Sequence, residues 1–418
     1  MFDLLGDLRT RTRWGATNTS FVERDSARRL RGYDDRSTPV EVRNPSTGKM
    51  DRVQRYDYRE LVPLLRHRRE PNHPEVRRVL DRPRDVRMSI DARFEVKVAE
   101  ILRNRLKQSG QTKGAAVVMD PATGDLLAAV SFPLPVEGAV QDEANPYLDR
   151  ARYGLYPPGS TFKVVTAMAA LRKDTQLAHK TYQCERLPDG RVGNFLKGSK
   201  RPIRDDVQDK SPHGTLDLEH GMVVSCNAYF AQLGAYDVGS DALHDTATLL
   251  GIAAASPDTA AELKKALPQS AYGQGEVVAS PFQMARVAST VANNGAMPQG
   301  RWLTDENNGR VAPPVVILPP DAAATLGRFM REVVTSGTGR RGAASVAVAG
   351  KTGTAELAGA PSHAWFIGFA PYGGAGRKIA FSVLVENGVY GGTAAAPAGA
   401  EIVNAAVKMG LIQTGLQP

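Results

Sequence analysis

Three short groupings in this 418-residue sequence carry side chains able to do covalent chemistry at a carbonyl. In Ser160-Thr161-Phe162-Lys163 a hydroxyl and an amine stand three residues apart, the spacing that puts two side chains on one face of a helix. A serine hydroxyl becomes a nucleophile when a neighbouring base takes its proton, and a neutral amine can be that base. Pro157-Pro158-Gly159 predicts helix entry at about Ser160, so that the free N–H groups of the first turn would face an oxyanion. Ser225-Cys226-Asn227, the only Ser-x-Asn in the chain, sets a hydroxyl and an amide in a loop between two expected helices. There they would relay a proton and hold a substrate amide. Lys351-Thr352-Gly353-Thr354 follows the strand-like SVAVAG. Glycine in a strand lets a ligand backbone approach and pair with the edge, and Lys351 with the threonine hydroxyls would bind a carboxylate.

Each grouping taken alone also reads as ordinary structure: Ser160 as the N-cap of a helix, Ser225 to Asn227 as a helix cap. A second Ser-x-x-Lys, Ser46 to Lys49, sits between Pro45 and Gly48 and reads as a turn. Gly350-Lys351-Thr352 resembles the end of a phosphate-binding loop, but that motif needs a glycine at position 345, which is serine.

The elements that must position these residues come in a recognisable order. Val86 to Leu106 predicts a short strand and then an amphipathic helix, with apolar positions at Val96, Val98, Ile101 and Leu102. Gly114 to Pro133 holds two apolar runs around Asp120-Pro-Ala-Thr-Gly124, a hairpin. Helices are expected in TFKVVTAMAALRK and around Leu216–Val224, Ala228–Leu233, Pro281–Ala292 and Asp321–Val334. Val346–Ala349, Ala364–Ala370 and Lys378–Val385 predict strands, and Ala398–Met409 a closing helix. An early hairpin, helices between and three late strands predict an α/β domain whose mostly antiparallel sheet is assembled from distant parts of the chain.

Composition narrows the class. With 42% hydrophobic and 23% charged residues the chain is neither disordered nor a small disulfide scaffold. Its longest apolar run, around Val164 to Leu171, is about half of the ~18 residues a membrane span needs. The opening MFDLLGDLRTRTRW is broken by Asp3 and Gly6 and does not read as a signal peptide. Of the net charge of +9, most lies in residues 1–85, where 20 Lys and Arg face 14 Asp and Glu. No zinc-finger or RNA-binding signature accompanies that segment, so no nucleic-acid partner is expected. Cys184 and Cys226 lack metal-ligand spacing and the seven histidines are scattered, so no metal is expected and the two cysteines read as unpaired thiols.

Taken together, Ser-x-x-Lys, Ser-x-Asn 65 residues later and Lys-Thr-Gly on a late strand resemble the active-serine set of penicillin-binding proteins and serine β-lactamases. YPPGSTFKVVTAMAAL, HGTLDLEHGMVVSCNAYFAQLG, YGQGEVVASPFQMARVASTVANNG, AGKTGTAE and HAWFIGFAPY extend the likeness to class B penicillin-binding proteins, the monofunctional D,D-transpeptidases. It runs from about residue 85 to the end. The resemblance implies a β-lactamase/transpeptidase-like fold over residues 86–418, preceded by a basic N-terminal linker or reduced pedestal over 1–85.

It implies peptidoglycan stem peptides as substrate and β-lactam antibiotics as inhibitors, with no cofactor. Ser160 would be the acylated nucleophile, Lys163 its base, Ser225 the proton shuttle and Asn227 the holder of the substrate amide. A neutral Lys163 is expected because Lys351 and the helix N-terminus disfavour a second positive charge nearby. Thr352 and Thr354 would bind the carboxylate, with Lys351 supplying charge and Gly353 letting the substrate backbone approach, and the N–H groups of Ser160 and Thr354 would form the oxyanion hole. Alternatives of the same superfamily are a D,D-carboxypeptidase and a β-lactamase-type hydrolase; a non-catalytic sensor or scaffold is a third. The Glu-x-x-Leu-Asn of class A β-lactamases has no counterpart in AAELKKAL, Ala260 to Leu267. The family also implies the extracytoplasmic face of the bacterial membrane, a membrane-embedded glycosyltransferase partner, and an anchor outside this chain.

Overall fold

The computed structural model describes residues 37–134, 148–304, 309–374 and 376–413, together with 26–33, Leu4 and Val22. The chain divides into two compact units, with the boundary in sequence between Met88 and Ser89. In the smaller one, strands β1 (Ser37–Arg43) and β2 (Met50–Tyr56) pair antiparallel and are followed by short helices Val62–Arg66 and Pro74–Leu80. Ser46 lies in the connecting turn, where Asn44 Oδ1 accepts from the N–H of Ser46 at 2.9 Å and Gly48 takes a φ of 67°. That Ser-x-x-Lys is a turn, as its glycine and proline predict.

The larger unit opens with helix α1 (Ala92–Gln108), capped by Asp91 Oδ1, which accepts from the N–H groups of Arg93 and Phe94 at 3.0 Å. Phe94, Val98, Ile101, Leu102 and Leu106 make its buried stripe. No strand forms directly before it. Ser89 donates to Trp302 O from its N–H at 2.9 Å and to Leu126 O and Arg301 O from its hydroxyl, and Asp91 N–H donates to Leu127 O of the strand Leu126–Phe132 at 3.1 Å, isolated bonds that do not make the expected ladder.

Strands β3 (Gly114–Met119) and β4 (Leu126–Phe132) are the expected hairpin, closed by Asp120 Oδ1 accepting from Ala122 N–H at 2.9 Å and by Gly124 at φ 78°. A 3-10 turn, Gly159–Phe162, leads into helix α2 (Lys163–Lys173). Four short strands follow, β5 (Tyr182–Arg186), β6 (Val192–Phe195), β7 (Pro202–Arg204) and β8 (Gly214–Leu216), in a separate sheet of order β7-β6-β5-β8. The helical part includes helices α3 (Leu218–Val223), α4 (Asn227–Leu233), α5 (Gly239–Leu249) and α6 (Pro281–Ala292). The two-residue strands β9 (Ala296–Met297) and β10 (Val315–Val316) precede helix α7 (Pro320–Thr335). Strands β11 (Ala349–Leu357), β12 (Ala360–Ala370) and β13 (Ile379–Val385) and helix α8 (Ala396–Lys408) end the fold.

The main sheet runs β11-β12-β13-β3-β4, antiparallel throughout. It is the expected sheet, assembled from the early hairpin and the late strands. Its central strands are buried on both faces, because α6 packs against one side and α1 and α8 against the other. This is why GAAVVM and IAFSVLV are continuous apolar runs and do not alternate. Strand β11 starts at Ala349, three residues later than the apolar run suggests, and continues to Leu357 because residues 349–355 pair in unbroken register with β12. Lys351 to Thr354 therefore lie inside an edge strand. No described helix is long and apolar enough to cross a membrane.

Candidate active site

The double proline and Gly159 do not start an α-helix at Ser160. They make a 3-10 turn, and α2 begins at Lys163. A 3-10 turn has three residues per turn, so side chains three apart eclipse, and Lys163 Nζ lies 3.0 Å from Ser160 Oγ. The turn is pinned from below by Trp365 Nε1–H donating to Pro157 O at 3.0 Å. It abuts the edge of β11 so closely that a Cβ on Gly353 would stand 2.8 Å from Pro158 O, and one on Gly159 2.5 Å from Thr354 O. Gly159 also takes a φ of 52°, which an L side chain resists. Gly353 thus contributes by having no side chain, and brings the strand edge against the nucleophile.

The Ser-x-Asn loop reaches the same point from the helical part. Ser225 is one of the few non-glycine residues at positive φ, 62°, between α3 and α4. Its backbone carbonyl and Asn227 Oδ1 both accept from Lys163 Nζ, the latter at 2.7 Å, and Ser225 Oγ lies 3.3 Å from the same nitrogen. A neutral amine has two N–H donors and one lone pair. With two carbonyl acceptors holding the donors, the lone pair is left for the Ser160 hydroxyl. Asn227 is thereby engaged at both ends, since Nδ2 donates to Arg204 O at 3.1 Å. Its amide holds Lys163, where the sequence suggested that it would hold substrate.

Lys351 is fully buried, and its Nζ donates to Ser225 Oγ at 2.8 Å and to Thr352 O at 3.0 Å. Its side-chain nitrogen therefore addresses Ser225. Thr352 Oγ1 lies 2.6 Å from Thr338 Oγ1. Ser160, Ser225, Asn227, Thr338, Thr352 and Thr354 line one cleft of about 750 Å³. Seven of the eight expected residues thus converge through their side chains, and Gly353 through its backbone.

Electrostatics favour a base at Lys163. Burial lowers its pKa to about 8, against the pull of Asp205 and Cys226. The sequence pointed to Lys351 and the helix N-terminus as the cause, but burial is what lowers it most. Lys351 is itself driven well below the ordinary lysine range by burial and by the neighbouring Lys163.

Two residues had no signal in the sequence. Thr338 sits in the loop after α7. Asp205, just past β7, accepts at Oδ1 from the N–H of Asn227, and at Oδ2 from the thiols of Cys184 and Cys226 at 3.1 Å each. Burial pushes this carboxyl up, but hydrogen bonds from His213 and the charge of Lys163 hold it below its usual range. His213 is pushed up to about 11 by its bonds to Asp205, Asp209 and Cys184. Cys184, Asp205, His213 and Cys226 bring four ligand atoms within 4.8 Å of one another. Two thiols, an imidazole and a carboxylate are a donor set suited to a tetrahedral ion such as zinc. The sequence gives no sign of this cluster, because the four come from β5, the loops flanking β7 and β8, and the cap of α4. Both cysteines are free thiols.

Comparison with known proteins gives the family. Residues 114–404 match the penicillin binding protein transpeptidase domain. The chain is 32% identical over 349 residues to the peptidoglycan D,D-transpeptidase PbpA of Mycolicibacterium smegmatis, covering 72% of this chain and 68% of that protein. It is 29% identical over 382 residues to the peptidoglycan D,D-transpeptidase MrdA of Haemophilus influenzae, covering 77% and 56%. The penicillin G acyl-enzyme of penicillin-binding protein A from M. tuberculosis superposes with a TM-score of 0.65 at 27% identity, over 88% of this chain and 97% of that one.

Proposed function

Because the chain belongs to the penicillin-binding-protein transpeptidase family, we propose that it is a monofunctional peptidoglycan D,D-transpeptidase, acylated at Ser160 and inhibited there by β-lactams. The observation that carries this is the 3.0 Å approach of Lys163 Nζ to Ser160 Oγ with both amine N–H groups already held by carbonyls.

The steps follow from the contacts. Lys163 takes the hydroxyl proton as Ser160 Oγ attacks the carbonyl between the two terminal D-alanines of a stem peptide. Backbone N–H groups of Ser160 and Thr354 receive the oxyanion, a donor pair of the kind worth ~3 kcal/mol per donor. Thr352 and Thr354 hold the terminal carboxylate, with Thr338 orienting the Thr352 hydroxyl. Ser225, between Lys163 and Lys351, passes the proton to the departing D-alanine amine. An amine of a second stem peptide then takes the acyl group from Ser160. The substrate implies work at the extracytoplasmic face of the cytoplasmic membrane, beside a membrane-embedded glycosyltransferase that supplies the glycan.

The test is a donor peptide ending in D-Ala-D-Ala, incubated with an amine acceptor and followed by mass spectrometry. Cross-linked product with release of D-alanine supports the transpeptidase. Hydrolysed donor alone, at any acceptor concentration, would make the protein a D,D-carboxypeptidase.

A further inference from the structure

One carboxylate in the cleft wall takes no part in the steps above. Thr352, Thr354 and Glu356 are alternate residues of β11, the edge strand of the main sheet, and all three line the cleft that holds Ser160. Side chains two apart share a face of a strand, and at about 3.3 Å of rise per residue Glu356 stands about 7 Å beyond Thr354. The ladder to β12 is interrupted there: Ala355 pairs with His363 and Leu357 with Ala360, so Glu356 stands opposite Pro361 and Ser362 at a bulge. Its side chain is exposed to the cleft.

Among the described residues no cation pairs with Glu356, whereas the other acids of the wall are engaged. Asp205 holds Asn227, Asp206 accepts from the N–H of Gln208 at 2.9 Å, and Asp209 lies 3.7 Å from His213 Nε2. Two arginines of the wall are also committed, Arg204 to Asp189 at 2.8 Å and Arg191 to Asp205 O at 2.9 Å. Arg340 and Arg341 follow Thr338, the partner of Thr352. Tyr272 lies near enough to Glu356 that burial, and then this charge, push its phenol up to about 12. The loop carrying Tyr272 touches the nucleophile's turn, since Gly159 N–H donates to Gly273 O at 3.0 Å, so strand edge and loop bound one stretch of the cleft.

We propose that Glu356 is a specificity residue for the acyl donor, binding an ammonium group on the side chain of the residue that precedes D-Ala-D-Ala. The inference rests on the transpeptidase reading and adds the chemistry of its donor. A donor with its carboxylate at Thr352 and Thr354 and its scissile carbonyl at the Thr354 N–H runs antiparallel to β11, its earlier residues toward Glu356. The penultimate D-alanine then stands opposite Thr354 and the preceding residue opposite Ala355. An amine on a flexible alkyl stem crosses the one remaining residue to Glu356. Donor and acceptor stems belong to the same polymer, so the donor carries the amine that the acceptor uses, and Glu356 is its complementary charge.

The test gives the whole protein two N-acetylated tripeptides, lysyl-D-Ala-D-Ala and its Nε-acetyl-lysyl twin, with the same D-amino acid acceptor in excess, and reads D-alanine release as kcat/KM. The lysine donor should be favoured about 3- to 10-fold at low ionic strength, and less as salt is added. The preference should fall to about 1 in Glu356→Gln and reverse in Glu356→Lys. Equal rates for the two donors on the native chain, or a preference that survives Glu356→Gln, would overturn this inference and leave the function standing. Release from neither peptide would instead refute the function, and the inference with it.

Discussion

Lys163 Nζ stands 3.0 Å from Ser160 Oγ and 2.7 Å from Asn227 Oδ1, so one buried amine joins a 3-10 turn at the sheet edge to a loop between two helices. Neither element alone makes a catalyst: the turn supplies the hydroxyl, and the loop orients the nitrogen that would deprotonate it. Replacing Lys163 with arginine separates charge from basicity, because a guanidinium stays protonated. Lys163→Arg should slow acylation by penicillin about 100- to 10,000-fold, measured as the second-order rate with a fluorescent penicillin.

The pH profile of the same rate reads the amine directly. Burial lowers the Lys163 pKa to about 8 from its ordinary value, and the neutral form is the active one. Acylation should therefore rise with pH through about 8 and level off above it, with about a tenth of the sites active at pH 7. A rate independent of pH from 6 to 9 would argue that another group takes the proton.

Asp205→Asn keeps an oxygen for the N–H of Asn227 but removes the charge that His213 and the two thiols address. This buried change should cost about 1–3 kcal/mol in a denaturant titration and slow acylation about tenfold.

Much of this site is legible in the sequence, for reasons that differ residue by residue. Ser160 and Lys163 are local, and a three-residue spacing survives the replacement of an α-turn by a 3-10 turn. The strands of the main sheet are apolar enough to read directly, whereas the strand expected at Val86 is lost because Ser89 and Asp91 make only isolated bonds, to β4 and to the segment at Arg301 and Trp302, whose position only the fold decides. Asp205 and Thr338 are invisible for the same reason: each acts on a residue at least 14 positions away. Cys184, His213 and Cys226 lie too far apart in sequence for any spacing rule, and the crossing of β5, the loops and α4 brings them together.

Gly353→Ala tests the contact between strand and turn. Its Cβ would stand 2.8 Å from Pro158 O and 2.9 Å from Thr161 Cγ2, so the turn carrying Ser160 must retreat. Destabilisation of about 1–3 kcal/mol is expected in a melting experiment, with slower acylation measured in the same preparation.

Thr338→Val removes the hydroxyl paired with Thr352 while keeping its shape. Carboxylate binding should weaken, raising KM for a D-Ala-D-Ala donor by up to about tenfold and leaving kcat nearly unchanged.

The central claim, that Ser160 is the acylated nucleophile, is tested most directly by intact-protein mass after incubation with benzylpenicillin, beside Ser160→Ala. The account expects one lasting penicilloyl group per chain, mapped to the Ser160 peptide and absent from the variant. An adduct that persists in Ser160→Ala, or penicillin consumed with no adduct on the native chain, would contradict it.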